Sequence, residues 1–164
     1  MVFHDEPIQT VLVTTRGHSN ILGRQVQKDN IITVDWHMPV SFRPAMYAIS
    51  IGKDRFSLDL IRDSKCFVVN FIGGGMEAAA LHCGRSSGLN TDKWKENDLI
   101  PVDAEKIDCP RVRSSIAYLE CEVVQEVEAG DHILFIARIL AGEKMGEGGR
   151  LFHLSGDKFI TIGG

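Results

Sequence analysis

Lys53, Arg55 and Ser57 fall at alternate positions in Ser50-Ile51-Gly52-Lys53-Asp54-Arg55-Phe56-Ser57, directly after an apolar run from Met46 to Ile51. The run reads as a buried strand. Gly52 releases the backbone, and a helix follows through Asp63 with Ser57 as its N-cap. A strand feeding a helix N-terminus presents unpaired N–H groups and a partial positive charge. With two basic side chains and a hydroxyl added, the octapeptide suits a phosphate monoester without a glycine-rich P-loop. The same residues also describe an ordinary strand–turn–helix with solvated basic side chains. A second basic group lies in Gly84-Arg85-Ser86-Ser87-Gly88-Leu89-Asn90-Thr91-Asp92-Lys93-Trp94, with Lys93 at the start of a short helix. It reads either as a solvated loop or as the other half of an anion clamp, with Lys93 as a point charge.

Other chemistry is weakly represented. His82 beside Cys83, with His153 far along the chain, falls short of a metal site. Asp92 and Glu96 share a helix face, but nothing places them as an acid/base pair. No nucleophile elbow is present, and Gly73-Gly74-Gly75 is not a GxGxxG fingerprint. His132 follows Gly130-Asp131 at a strand entrance, where a lone histidine is more often a turn or edge residue than a catalytic one. Trp36, Phe42 and Phe56 lie near Pro39 and Pro44 and either wall a flat aromatic ligand or belong to the core. No catalytic side chain and no metal are expected.

The elements that must position these residues are mostly strands. Ile8 to Thr15, Asn30 to Trp36, Met46 to Ile51, Cys66 to Ile72, Ala117 to Val124, His132 to Ala141, Leu151 to Leu154 and Lys158 to Ile162 carry β-branched residues or period-two alternation. Arg16 to Asp29 reads as a long hairpin connection or flap, and Met38-Pro39 and Arg43-Pro44 end the second strand. Helices are expected at 57–63, at 76–83 and from Thr91 or Asp92. Leu99 to Pro110 is read as connection. In Ala117 to Val124, the face carrying Tyr118, Glu120 and Glu122 is expected to be exposed. This order favours an antiparallel barrel or sandwich over a doubly wound sheet. At 164 residues, 44% apolar and 24% charged, one domain over 1–164 is expected. A net charge of -4 argues against a nucleic-acid partner or an anionic membrane surface. Four cysteines without a CxxC pair give no zinc or disulfide framework, and Cys66 and Cys121 read as small core hydrophobes. Met1 to Pro7 lacks the apolar core of a signal peptide, so a reduced cytoplasmic setting is expected.

Taken in order, these motifs resemble the flavin reductase-like, FMN-binding split-barrel family, closest to its flavoredoxin-like branch. The resemblance is carried by Val11-Leu12-Val13-Thr14-Thr15, by Asn30-Ile31-Ile32-Thr33-Val34-Asp35-Trp36, and by Ser50-Ile51-Gly52 with Arg55-Phe56-Ser57. Phe67-Val68-Val69-Asn70, Cys83-Gly84-Arg85-Ser86-Ser87-Gly88 with Asp92-Lys93, Leu119-Glu120-Cys121 and Gly130-Asp131-His132 continue it, over about Ile8 to Gly164. The resemblance implies a mainly β, Greek-key split β-barrel with inserted helices, a homodimer, and one FMN per subunit. It sets the FMN phosphate against Arg55, Ser57 and the loop of Ser87, Gly88 and Lys93, with Phe56 also at the cofactor. The ring would lie along Asn30, Thr33, Val34, Asp35 and Trp36 and along Ser50, Ile51 and Gly52, with backbone N–H groups aimed at its edges. His132 would stand on the substrate side, where NADH, NADPH or an electron acceptor approaches. Lys53 has no counterpart in the family pattern. The implied activity passes electrons from reduced nicotinamide through FMN to a flavin, metal complex or protein. An electron-transfer flavoprotein without nicotinamide turnover and a non-catalytic dimer module are the alternatives. The long Arg16 to Asp29 connection, Ala45 where relatives carry a second proline, and a chain ending at Gly164 depart from the family.

Overall fold

A computed structural model describes residues 6–164. The N-terminal reading over Met1 to Pro7 therefore lies, apart from Glu6 and Pro7, outside the described residues. In chain order the elements are β1 (Ile8–Gln9), β2 (Val11–Ile21), β3 (Arg24–Val34), β4 (His37–Phe42), β5 (Ala45–Gly52), α1 (Phe56–Ser64), β6 (Cys66–Phe71), α2 (Glu77–Arg85), α3 (Lys93–Glu96), β7 (Pro101–Asp103), β8 (Pro110–Val112), β9 (Ala117–Ala129), β10 (His132–Lys144), β11 (Arg150–Ser155) and β12 (Lys158–Ile162). The chain is mainly β, as expected.

Seven strands form one antiparallel sheet in the order β3-β2-β6-β9-β10-β5-β4. Its two edge strands, β3 and β4, are joined through only Asp35 and Trp36. A flat sheet cannot bring opposite edges that close, so the sheet must curl into a barrel. The Ser50 N–H donates to the Trp36 carbonyl at 2.9 Å and helps to close it. The interior is filled by Val11, Val13, Ile32, Val34, Ile49, Ile51, Phe67, Val69, Ile133 and Phe135, with Leu58 and Ile61 of α1. Each such side chain contributes about 1.5–3 kcal/mol on burial. A second apolar cluster lies on the opposite faces of β2 and β3, where Leu12 and Ile31 meet Ala80 and Cys83 of α2, Val112 of β8 and Leu151 of β11.

α1 connects β5 to β6 across two intervening strands and packs against β2. Gly17 permits this approach. A Cβ there would stand 2.9 Å from Leu60 Cα and closer still to its carbonyl oxygen.

Several expectations are corrected. Of the two readings of Arg16 to Asp29 the hairpin holds and the flap does not: β2 and β3 continue through it in register to a two-residue turn. Leu22 and Gly23, with φ of 51° and 78°, make that turn, and both central positions are left-handed as a type I′ hairpin requires. Leu-Gly is not the Asn-Gly pair that announces such a turn, and the strand ends are polar because they project into water. Pro39 does not end strand structure; it sits in β4, an edge strand with a register shift between Pro39 and Ser41. Part of Leu99 to Pro110 pairs as the β7–β8 ribbon. Tyr118 and Glu120 are buried, because the segment before β8 covers them. The Glu120 carboxylate accepts the Glu105 and Lys106 N–H groups at 2.8 and 2.7 Å, which is how a buried carboxylate is tolerated.

Candidate functional site

Two adjoining cavities open where β3, β5, α1, α2 and α3 converge. The first, about 240 Å³, is lined by Ile32, Thr33, Val34, Asp35 and Trp36, by Ser50, Ile51 and Gly52, and by Arg55, Gly84 and His132. The second, about 90 Å³, is lined by Asn30, Ile32, Asp54, Arg55, Phe56 and Ser57, and by Cys83 to Gly88 with Lys93. They share Ile32, Arg55 and Gly84. Every residue that the family resemblance assigns to the flavin site lines one or both. The structure adds Ile32, Asp54, Cys83, Gly84, Arg85 and Ser86. Ile32 was hidden among core residues, and the others lay inside the quoted motifs without being assigned to the ligand themselves.

The first cavity is elongated strand edge with an aromatic wall. Gly130, with φ of 61°, starts the two-residue β9–β10 turn and sets His132 opposite Gly52. The Lys53 N–H donates to the Asp131 carbonyl at 2.9 Å, fixing that turn against β5. The imidazole of His132 lies beside the Trp36 indole, with ring centroids 4.8 Å apart and planes tilted by 40°. Its Nδ1 is 2.6 Å from Asp131 Oδ1. Asp35 is already engaged: Thr10 Oγ1 donates to one oxygen, and His153 Nδ1 lies 2.8 Å from the other. Its side chain therefore braces β3 against β11. The Ser50 N–H, committed to Trp36, is not free to meet a ring ligand as expected.

The second cavity is rich in donors. The sequence placed Ser57 at the helix cap; instead Arg55 is the cap residue, without a side-chain cap bond. Ser57 is inside the first turn and buried, where its Oγ accepts from Asn30 Nδ2 at 2.8 Å. Its own O–H proton is thus left to be donated. Gly88 lies so close to the Asn30 amide that a Cβ would collide with it.

The cations are positioned by the C-terminal end of α2, whose last carbonyls are negative and short of intrahelical partners. Arg55 Nη1 donates to the Gly84 carbonyl at 3.3 Å. Lys93, at 3% exposure, donates from Nζ to the carbonyls of Cys83 and Ile31, both at 2.8 Å. Burial pushes its pKa down to about 8, the nearby Cys83 thiol opposes that, and Arg55 pushes it further down. An anion between Arg55 and Lys93 would relieve the last effect. By contrast, Lys53 lines neither cavity and pairs with Glu128.

A narrow strand-edged cleft continuing into a cation-and-hydroxyl pocket is the layout for a flat ring that carries a phosphate. The flavin reductase like domain matches residues 3–158, and the chain belongs to that family. An uncharacterised protein of Archaeoglobus fulgidus is 36% identical over 70% of the chain, which covers 65% of that protein. Among solved structures, the flavoredoxin of Desulfovibrio vulgaris (Miyazaki F) superposes with a TM-score of 0.84 at 20% identity, covering 100% of this chain and 91% of its own. The NADH:FAD oxidoreductase of Streptomyces globisporus C-1027 gives 0.83 at 24% identity over 99% and 89%. These two likenesses establish the fold. Among the described residues no group of metal ligands is assembled, and no helix is long and apolar enough to cross a membrane.

Proposed function

We propose that this chain is an FMN-binding oxidoreductase of the flavin reductase type, passing electrons from reduced nicotinamide to a flavin, metal complex or protein. The observation that carries the proposal is the pair of cavities joined at Arg55 and Gly84, one shaped for a ring and one furnished for a phosphate. Bound flavin would supply the hydride and electron chemistry, so the chain needs no side-chain acid or base.

The residues fit that group. Arg55, the third Lys93 N–H and the Ser57 hydroxyl are donors left over after their scaffold bonds, as a phosphate dianion requires. Ile32, Val34 and Ile51 give the ring an apolar bed, and Trp36 with His132 borders its open side. We take a second copy of the chain as the partner. Phe42, 97% exposed, continues Met38 and Val40 along the β4 edge beside Trp36, an apolar strip suited to burial in a homodimer.

The deciding experiment mixes purified, FMN-loaded protein with NADH or NADPH under anaerobic conditions and follows flavin absorbance. Bleaching with either donor supports the reductase. Flavin that stays oxidised with both leaves the electron-transfer reading. A colourless protein that takes up no FMN on titration leaves the dimer module.

A further inference from the structure

The four cysteines fall into two kinds. Cys83 and Cys121 are buried, and desolvation pushes their thiols up to about 11 and 12. Cys66 and Cys109 share a small packed cluster with Val68 and Tyr118. Cys66 Sγ lies 4.0 Å from the carbonyl oxygen of Asp108, the residue preceding Cys109. Cys109 Sγ donates to the Thr14 carbonyl at 3.2 Å. The neighbouring Cys109 thiol lowers the pKa of Cys66, and burial, followed by the Cys66 thiol, raises that of Cys109. Their access differs as well. Cys109 is 1% exposed, whereas Cys66 lines a cavity of about 360 Å³ with Lys65, Lys106, Asp63, Asp108 and Glu122. One thiol at a cavity wall, 7% exposed and with a lowered pKa, beside one fully sequestered thiol is the pairing of an attacking and a resolving cysteine.

We propose that Cys66 and Cys109 form a redox-active thiol pair that a peroxide oxidises to an intramolecular disulfide. The Cys66 thiolate attacks a peroxide oxygen; the O–O bond breaks, and the leaving hydroxide takes a proton to become water. Cys66 is then a sulfenic acid. The Cys109 sulfur attacks the Cys66 sulfur, the S–O bond breaks, and the proton lost by Cys109 leaves with that oxygen as a second water. Two thiols give two electrons to one hydrogen peroxide. A small dithiol restores the pair by thiol–disulfide exchange. The bond would bridge β6 to the segment entering β8, and the chain between them contains α2, the 86–92 loop and Lys93.

The test exposes the full-length reduced protein to hydrogen peroxide and maps its peptides without reduction. A Cys66–Cys109 peptide, lost on adding dithiothreitol, is expected. At about pH 7.5 iodoacetamide should label Cys66 at least about tenfold faster than Cys121. Cys109→Ser should leave Cys66 as a sulfenic acid that dimedone captures, and Cys66→Ser should leave Cys109 unoxidised. Absence of the 66–109 peptide, labelling of Cys66 no faster than Cys121, or wild-type oxidation of Cys109 in Cys66→Ser overturns the proposal. The wild-type labelling comparison stands even if either variant fails to fold. All readings are of thiols, so they are independent of the cofactor.

Discussion

Raising the pH from 7 to 9.5 should weaken FMN binding about 25-fold while leaving riboflavin binding unchanged. The reasoning starts at Lys93, whose ammonium has three N–H donors. Two of them hold the Ile31 and Cys83 carbonyls at 2.8 Å, and its pKa stands near 8 because the group is buried. The neutral amine retains two N–H donors, matched to those same carbonyls. Deprotonation therefore removes the charge and the third donor without dismantling the scaffold. If a phosphate dianion restores Lys93 to an ordinary lysine value of about 10.4, the complex holds a proton that the free protein releases above pH 8. Binding is then undiminished below about pH 8 and weakens as the pH climbs toward 10.4. The loss is about 2 kcal/mol at pH 9.5. Dissociation constants from fluorescence quenching, at constant ionic strength, measure it. A parallel fall for riboflavin would locate the effect in the ring or the fold. A flat FMN profile would mean that Lys93 does not touch the phosphate. Lys93→Met should flatten the profile, at a stability cost of about 1–3 kcal/mol for each carbonyl it leaves unpaired.

Arg55→Ala should weaken FMN by about 1.5–3 kcal/mol and riboflavin little, because a charge-assisted contact to the phosphate is lost; equal losses for both flavins would count against it. Gly17→Ala, which drives a Cβ into the Leu60 backbone, should lower stability in urea by about 1–3 kcal/mol. An unchanged midpoint would show that α1 can lift away freely. Cys121 and Tyr47, both held near 12 by burial, keep protons that an unfolded chain releases near about 8.5 and 10. Their contribution to stability is complete below about pH 8.5 and is lost as the pH rises toward 12. Cys121→Val should make alkaline unfolding shallower; an unchanged slope excludes that thiol as a cause. Formation of the 66–109 disulfide, closing a loop of about 40 residues, should stabilise the fold by about 4 kcal/mol, read as a higher urea midpoint that dithiothreitol reverses.

What the sequence made legible follows from where the side chains alternate. β5, β6, β10 and the inner parts of β2 and β3 carry continuous apolar runs, since the barrel fills one face and α2, β8 and β11 cover part of the other. The outer halves of β2 and β3 carry no such run. Beyond Gly17 they project as a ribbon of His18, Ser19, Asn20, Arg24, Gln25 and Gln27, kept regular by backbone pairing and tied to α1 where the His18 N–H donates to the Asp63 carboxylate. A polar ribbon and a polar loop look alike in composition. Glu120 fails for the opposite reason. Its strand alternates as a half-exposed one would, and its burial depends on a segment 14 or 15 residues away in sequence folding over it.

At the candidate site the types of residue were legible and their duties were not. Lys53 and Arg55 are equivalent in sequence and would share a face if the strand continued, but both lie in the turn between β5 and α1, where their side chains leave in different directions. Lys53 reaches Glu128 on β9, whereas Arg55 reaches the end of α2. Ser57 was legible as a hydroxyl near a helix N-terminus, but whether it caps the helix or points at Asn30 turns on a shift of two residues in where α1 begins. Lys93 shows the deepest gap. Read as a point charge at a loop, it would be solvated and would keep its ordinary pKa. Buried against the last carbonyls of α2, it is instead a cation whose charge is costly until an anion arrives. That cost would make it discriminating: a neutral ring would offer Lys93 nothing, while a phosphate would both neutralise it and take its remaining N–H. The same arrangement links the cations to helix α2, because any movement of its C-terminal turn would move Arg55 and Lys93 together.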